Sequence, residues 1–321
     1  LIDGDSMRAR RLVSTVDLPR DEWLRYRTQS IGASDAAAAL GLSRYKTPYD
    51  LYREKTGEAD PDDLDGNEAV EIGLLAEPMI ATLYERRTGH RVQHVRAILQ
   101  HPEHHYLTCN LDGRVFGEER LVEKKTAGFT SRGFIDAEWG EDGTDQIPTH
   151  HFVQAQAQLA VTGFAVNDVA ALLAGIGFRI YTVRRNDEFI ALMIERLAEF
   201  WSYVERREPP PVTTLEEVRK RFPQHVPLPI EADDAAQSAY RILLDAKQRI
   251  KAAEADEKRA QDAISSYLAE HDTLTINGEP ALTFRTQPVR RFDTKSFQAA
   301  HPDIHATFVQ ESTTRVMRLK G

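Results

Sequence analysis

The chain is nearly devoid of cysteine: among 321 residues only Cys109 carries a thiol. No internal disulfide can form, which fits a reducing cytoplasm. Cys109 lies in "YLTCNLDG", an apolar context without a partner for metal or thiol chemistry, and reads as core. No apolar run reaches the ~18 residues that mark a membrane-spanning helix, so none is expected. The opening stretch "LIDGDSMRARRLVSTV" has basic residues but no apolar h-region, and no secretory leader is expected there. Positive charge is also short, with 41 Lys and Arg against 50 Asp and Glu and a net charge of −9. That balance disfavours a protein that coats nucleic acid over its whole surface, while leaving room for a local basic channel. There are no repeats and no low-complexity segment. The histidine clusters "HPEHH" and "THH" lack a helical His-x-x-x-His pair, and with one cysteine they make a weak case for zinc.

What is present suffices for a substantial core: 41% of residues are hydrophobic and 28% charged. Residues 19–57 read as helices around a loop. In "IGASDAAAALGLS", Ser34 and Asp35 precede an alanine run closed by Gly41; in "KTPYDLYREKTGE", Thr47 caps, Pro48 opens and Gly57 stops a helix. An acidic loop over 58–70 leads to a helix from about Glu71 to Thr88, with Ile72, Leu75, Met79, Ile80 and Leu83 as its apolar stripe. Residues 91–126 alternate in short runs that predict an antiparallel meander, and 128–147 is a long loop. "THHFVQAQAQLAVTG" is a helix ending at Gly163, followed by two strands and a long amphipathic helix stopped by Pro209, Pro210 and Pro211. Residues 231–271 predict a long helical arm or coiled-coil-like pair, "INGE" a hairpin turn, and "DTKSFQAAHPDIHATF" a final helix before a basic tail.

Chemistry concentrates around "LVEKKT". Strand alternation puts Glu123 and Lys125 on one face, with Val122 and Lys124 on the other. Asp112 ends the apolar strand "YLTCNLDG", and if the two strands are neighbours it comes near that face. Two carboxylates and a lysine at one sheet edge form an oxygen-ligand site for a hard divalent cation. The lysine can orient a water and stabilise charge growing on a phosphorane. An excess of carboxylate is no obstacle at such a site, because a bound cation reverses its local effect.

Asp, ten residues, Glu, one residue, Lys is the spacing of the PD-(D/E)XK nuclease core. Four ordered blocks over residues 23–205 extend it: "RTQSIGASDAAAALGLSRYKTPYDLYREKTGE", "GLLAEPMIATLYERRTG", "LDGRV" with "LVEKKTA", and "IPTHHFVQAQAQLAVTG". In these the chain resembles the phage-type alkaline exonucleases, the group of lambda exonuclease and the YqaJ-like viral recombinases. The resemblance implies an α/β (α+β) fold with a restriction-endonuclease-like core, a central mixed sheet flanked by helices. It implies Asp112 and Glu123 as principal metal ligands, the backbone carbonyl of Lys124 as another oxygen, and Glu77 binding the metal or its water. Mg²⁺ would be the cofactor, with Mn²⁺ able to substitute. Lys125 would generate or position the attacking hydroxide and Gln154 would steer both. Arg27 and Ser34 match the pair that binds a terminal 5′-phosphate, and a guanidinium with a hydroxyl near a helix N-terminus suits a phosphate on physical grounds. Three positions depart from the family pattern: Lys124 replaces a frequently apolar residue, His151 stands where a tyrosine is usual, and Leu111 precedes Asp112 in place of proline.

The reading is therefore a Mg²⁺-dependent 5′-to-3′ exonuclease on double-stranded DNA ends. The resemblance further implies a ring-shaped homotrimer, a single-strand-annealing recombinase as partner, no membrane, and a bacterial cytoplasm with a phage or prophage gene. A nicking or structure-specific endonuclease with the same core is the alternative, and a non-catalytic DNA-end or recombinase-binding module is the third possibility. The expected organisation is an N-terminal extension over 1–18, a nuclease domain over 19–208, a proline-rich linker over 209–230, and a C-terminal helix-and-hairpin region over 231–321.

Overall fold

The structure, a computed structural model, describes residues 9–60, 67–128, 138–311 and 313–319. The predicted loop regions 61–66 and 129–137 lie outside the described residues. Two compact units are present, residues 1–221 and 222–321.

The first unit opens with β1 (Arg10–Ser14), α1 (Arg20–Thr28) and the two-residue β2 (Ile31–Gly32). A single 3-10 turn and the four-residue α2 (Ala36–Ala39) follow, then α3 (Pro48–Thr56) and α4 (Glu68–Thr88). Three strands come next: β3 (Val92–Gln100), β4 (Leu107–Val115) and β5 (Arg120–Ala127). Helix α5 (Thr149–Thr162) crosses to β6 (Val166–Leu173), which pairs with β7 (Gly177–Arg184), and α6 (Asp187–Arg206) and α7 (Leu215–Arg221) complete the unit. The strands form one mixed sheet in the order β1-β3-β4-β5-β6-β7, with β2 added beside β4. β5 runs parallel to β6, as a helical crossover requires, and the meander β3-β4-β5 is antiparallel. This is the central mixed sheet with flanking helices that the four blocks imply.

Several expectations are corrected. Residues 10–14 are not a loose extension, since β1 pairs antiparallel with β3 at the sheet edge. The first unit runs to Arg221 rather than 208, because α7 is tied back. The buried Glu217 carboxylate accepts from Thr213 N at 2.7 Å, Thr214 N at 3.0 Å and Tyr49 N at 3.4 Å. Helix α4 begins at Glu68, one residue after its Asn67 cap. Its buried stripe is Ala76, Ile80 and Tyr84, while the predicted Leu75 and Met79 face outward at 75% and 48% exposure. Gly73 extends that inner stripe: a Cβ there would sit 3.4 Å from the Thr126 hydroxyl, so the first half of the face that packs on β5 carries the small residues Gly73 and Ala76 and the second half the large Ile80 and Tyr84. Helix α2 coincides with the alanine run, preceded by the 3-10 turn that holds Ser34 and Asp35, and all four of its alanines are buried against α5.

The second unit holds the predicted long arm as one helix, α8 (Asp234–Leu268), capped by Asp233. A hairpin follows, β8 (Thr273–Ile276) and β9 (Glu279–Thr283), turned at Asn277 (φ 54°) and Gly278 (φ 86°). Both turn residues are left-handed, as a two-residue hairpin prefers. The last predicted helix divides into α9 (Thr294–Ala300) and α10 (Pro302–Phe308), since His301, preceding a proline, takes φ −138° and ψ 62°.

Candidate active site

The site is built where β4 changes partner. Near its C-terminal end β4 pairs with β5 only through Gly113↔Val122 and Arg114↔Leu121. Near its N-terminal end it pairs with β2 through Leu107 and Thr108. Between these two ladders the sheet forks. The glycine beside the fork is obligatory: a Cβ on Gly113 would lie 2.5 Å from Val92 Cγ1. Beyond the last rung the Asp112 carboxylate takes over the ladder's role, accepting from Lys124 N at 2.8 Å. Asp112 thus lies within β4 and not at its end, and it is the ladder that stops there.

Glu123, 5% exposed, is held on both oxygens. Its Oε1 meets Lys125 Nζ at 2.7 Å and Gln154 Nε2 at 2.6 Å, and its Oε2 accepts from Gln158 Nε2 at 2.7 Å. The Gln154 carbonyl accepts from Lys125 at 3.0 Å, so that amide fixes acid and lysine together. Gln158 is held in turn by Asn167 Nδ2, which donates to its Oε1 at 2.6 Å. Gln156 points elsewhere, to the Arg184 carbonyl and the Asn186 amide. The sequence reading chose Gln154 and missed Gln158; the i, i+4 spacing that puts both on one face of α5 was the available signal.

Electrostatics follow from this crowding. Burial, reinforced by the Glu123 charge, raises the Asp112 pKa to about 7. Burial alone would depress Lys125, but Glu123 and Asp112 outweigh it and hold the ammonium above its ordinary value. The ammonium form of Lys125 is therefore favoured here.

On the opposite face of β5, Lys124 turns its side chain toward α4. Its side chain is 1% exposed and binds Glu77 of α4 at 2.7 Å. Glu77 is near enough for its charge to raise Asp112 further. Even so, among the described residues no three His, Cys, Asp or Glu side chains converge in a metal-ligating group, so the expected set of Glu77, Asp112 and Glu123 is not assembled. The donors nonetheless fit a hard cation: the buried Glu123 and the half-buried Asp112 carboxylates lie on adjoining strands, the second crowded enough to favour a proton.

Across the fork, Arg27 Nη2 lies 3.5 Å from Ser34 Oγ and 2.8 Å from Asp35 Oδ1. Lys55, 4% exposed, bridges Asp35 at 2.8 Å and the Arg27 carbonyl at 2.6 Å. Burial would raise the Asp35 pKa, but Lys55 and Arg27 prevail and hold it at about 2. The indole of Trp23 lies 5.0 Å below the Arg27 guanidinium. A cleft of about 130 Å³ joins this corner to the acidic one, lined by Arg27, Ser34, Thr108, Asn110, Asp112 and Gln154. His151, one turn before Gln154, has a buried Nδ1 without a hydrogen-bond partner and packs on Trp139. The "HPEHH" cluster is a turn in which His101 Nδ1 accepts from the amides of Glu103 and His104, and Cys109 is buried and free.

Residues 22–165 match the family described as the YqaJ-like viral recombinase domain, and all four sequence blocks fall inside that span. The likeness to the phage-type exonuclease family inferred from those blocks is met. The protein YqaJ of Bacillus subtilis (strain 168) is 29% identical over 323 residues, covering 98% of each chain, so the similarity extends through the C-terminal unit. Among solved structures, the chain is similar to an alkaline exonuclease, LHK-Exo, from Laribacter hongkongensis, with 19% identity and a TM-score of 0.48 over 63% of this chain and 97% of that one. A phage-related exonuclease from Haemophilus somnus 129PT gives 11% identity and a TM-score of 0.43 over 57% and 97%. No helix among the described residues is long and apolar enough to cross a membrane.

Proposed function

We propose that this chain, whose residues 22–165 form a YqaJ-like viral recombinase domain, is a metal-dependent deoxyribonuclease acting as an exonuclease on double-stranded DNA ends, and that it proceeds from the 5′ end. The observation that carries the reading is the single cleft shared by Arg27, Ser34, Asp112 and Gln154. A phosphate anchor and a hydrolytic centre opening into one space suit an enzyme that engages a strand terminus.

Asp112, Glu123 and the Lys124 carbonyl would hold Mg²⁺, or Mn²⁺ in its place, while Glu77, paired with Lys124, would add negative charge nearby. Bound there, the ion supplies Lewis acidity for a water nucleophile and charge neutralisation for the leaving 3′-oxygen. The protein's own groups do the rest. Arg27 and Ser34 anchor the terminal phosphate, with the guanidinium already oriented by Asp35. Lys125, kept charged by Glu123, donates toward the nucleophile and the phosphoryl oxygens, where its charge counts most as negative charge develops. Gln154 and Gln158 clamp Glu123 so that the acid and the lysine keep their separation when substrate arrives. The remaining strand would be single-stranded product for an annealing recombinase. A ring-shaped trimer would keep the duplex enclosed between turnovers.

The test is time-resolved digestion of end-labelled linear duplex with and without a 5′-phosphate, beside a closed circle. Mononucleotide release from the linear DNA is expected, faster with the phosphate, dependent on Mg²⁺ or Mn²⁺, and lost in Glu123→Ala and Lys125→Ala proteins that remain folded. Undiminished activity in either variant would overturn the site, and cleavage of the circle would replace the exonuclease by an endonuclease.

A further inference from the structure

A second feature lies beside the lysine and is not used by the hydrolytic scheme. Tyr45, just before α3, is 74% exposed, with its ring flanked by two neighbours. Its amide donates to Ser43 Oγ at 3.1 Å. Its neighbour Arg44 is ion-paired with Glu138 at 2.8 Å, and the Arg44 guanidinium lies 5.0 Å from the tyrosine ring centroid. Behind it, the His150 ring meets Tyr45 edge-to-face, with centroids 5.6 Å apart and planes at 86°. His150 packs on His151 at 4.0 Å, and His151 on Trp139 at 5.4 Å. The row leads inward toward the catalytic corner: the Lys125 charge contributes to lowering the pKa of both histidines, and Gln154 lies one helical turn after His151.

Such a row of rings is unusual packing for a core, because its outer member buries little. An exposed aromatic ring already flanked by a guanidinium and a second ring still offers most of its surface for a flat ligand to cover. The nucleobase is the flat ligand that a nuclease substrate supplies, and bases stack on aromatic rings with little regard to sequence. We propose that Tyr45, backed by His150, is a stacking platform for an unpaired nucleobase at the substrate's end. The site rests on the nuclease reading for its substrate and extends it with a subsite for the base next to the phosphate that the cleft binds. It accounts for a feature the hydrolytic groups leave unexplained, the exposed tyrosine at the outer end of a row of rings on the helix that carries Gln154.

The experiment uses full-length protein carrying Lys125→Ala, so that substrate is retained, and two linear duplexes, one blunt and one with a frayed end bearing 2-aminopurine. Stacking on Tyr45 is expected to quench the 2-aminopurine. Adding Tyr45→Ala should lower affinity for the frayed end by roughly tenfold, the scale of one lost base–aromatic stack, and abolish the quench. Affinity for the blunt duplex should change less than twofold, and Tyr45→Phe should keep both frayed-end properties. Tyr45→Ala and parent titrations that superimpose on the frayed end, or an equal loss on both duplexes, would overturn the platform. Failure of the nuclease reading would register separately, as absence of metal-dependent nucleotide release by the unaltered chain.

Discussion

Glu77 and Lys124 grip each other at 2.7 Å across the packing between α4 and β5, and the two ends of the pair are unequal: the lysine is 1% exposed and the glutamate 36%. Removing the partly solvated acid strands a buried ammonium, whereas removing the lysine leaves a carboxylate that water can reach. Glu77→Ala should therefore destabilise the fold by about 2 kcal/mol, and Lys124→Met by less than about 1 kcal/mol. The double variant Glu77→Ala/Lys124→Met should recover most of the loss. Urea unfolding of the four proteins measures the coupling, and additive effects would show that the pair carries no mutual stabilisation.

Gln158 bonds to Glu123, to Asn167 and, at 3.3 Å, to the Asn110 carbonyl, while being 1% exposed. Replacing it by Leu takes a partner from the buried Glu123 Oε2 and from the buried Asn167 Nδ2, at a cost of about 2–4 kcal/mol. Because Glu123 also loses a clamp, the rate of nucleotide release should fall by roughly 10–100-fold, the scale seen when groups orienting a site's ligands are removed. Thermal melting and digestion of linear duplex read the two effects separately.

The shift at Asp112 predicts a stability profile. Its folded pKa of about 7 lies above the ordinary 3.8, so the folded state holds the proton more tightly than the unfolded chain does. In metal-free protein that contribution is complete below about pH 4 and is lost as pH rises through 7, with a ceiling of about 4 kcal/mol. Asp112→Asn should flatten this part of the profile and raise the melting temperature at pH 8 without metal, while abolishing hydrolysis. A melting temperature at pH 8 unchanged by the substitution would refute the assignment.

Asp35 predicts a change in selectivity. Asp35→Asn keeps the shape but removes the charge that aligns Arg27 and balances the buried Lys55. The preference for 5′-phosphorylated over 5′-hydroxyl ends should shrink by about tenfold, one charge-assisted hydrogen bond's worth. Initial rates on the two ends of otherwise identical duplexes give the ratio. An unaltered ratio would mean that Asp35 serves the fold alone.

Much of this site was legible in the sequence because it is written in periodicities. Strand alternation separates Glu123 and Lys125 from Lys124, and the structure keeps that separation. The helix period could have joined Gln158 to Gln154 as well. What periodicity could not convey is charge pairing across layers. Alternation turns the Lys124 side chain away from Glu123, but nothing local to it tells that it is buried against Glu77 of α4. The same holds for α4 itself, whose large apolar residues suggested the buried face. Close packing on β5 at Thr126 instead selected Gly73 and Ala76, turning Leu75 and Met79 outward. Asp35 and Lys55, 20 positions apart, carried no local signal of their partnership.

The fork in the sheet has a metrical consequence. Thr108, where β4 leaves β2, and Asp112, where it approaches β5, are separated by four steps of one extended strand, about 13 Å along a nearly inextensible backbone. On the proposed reading, β2, which leads directly into the turn holding Ser34, is fastened at one end of that span and the Asp112 carboxylate stands at the other. A one-residue insertion or deletion between them would reverse the faces of every later residue in β4, so it should abolish hydrolysis outright and not shift where the strand is cut.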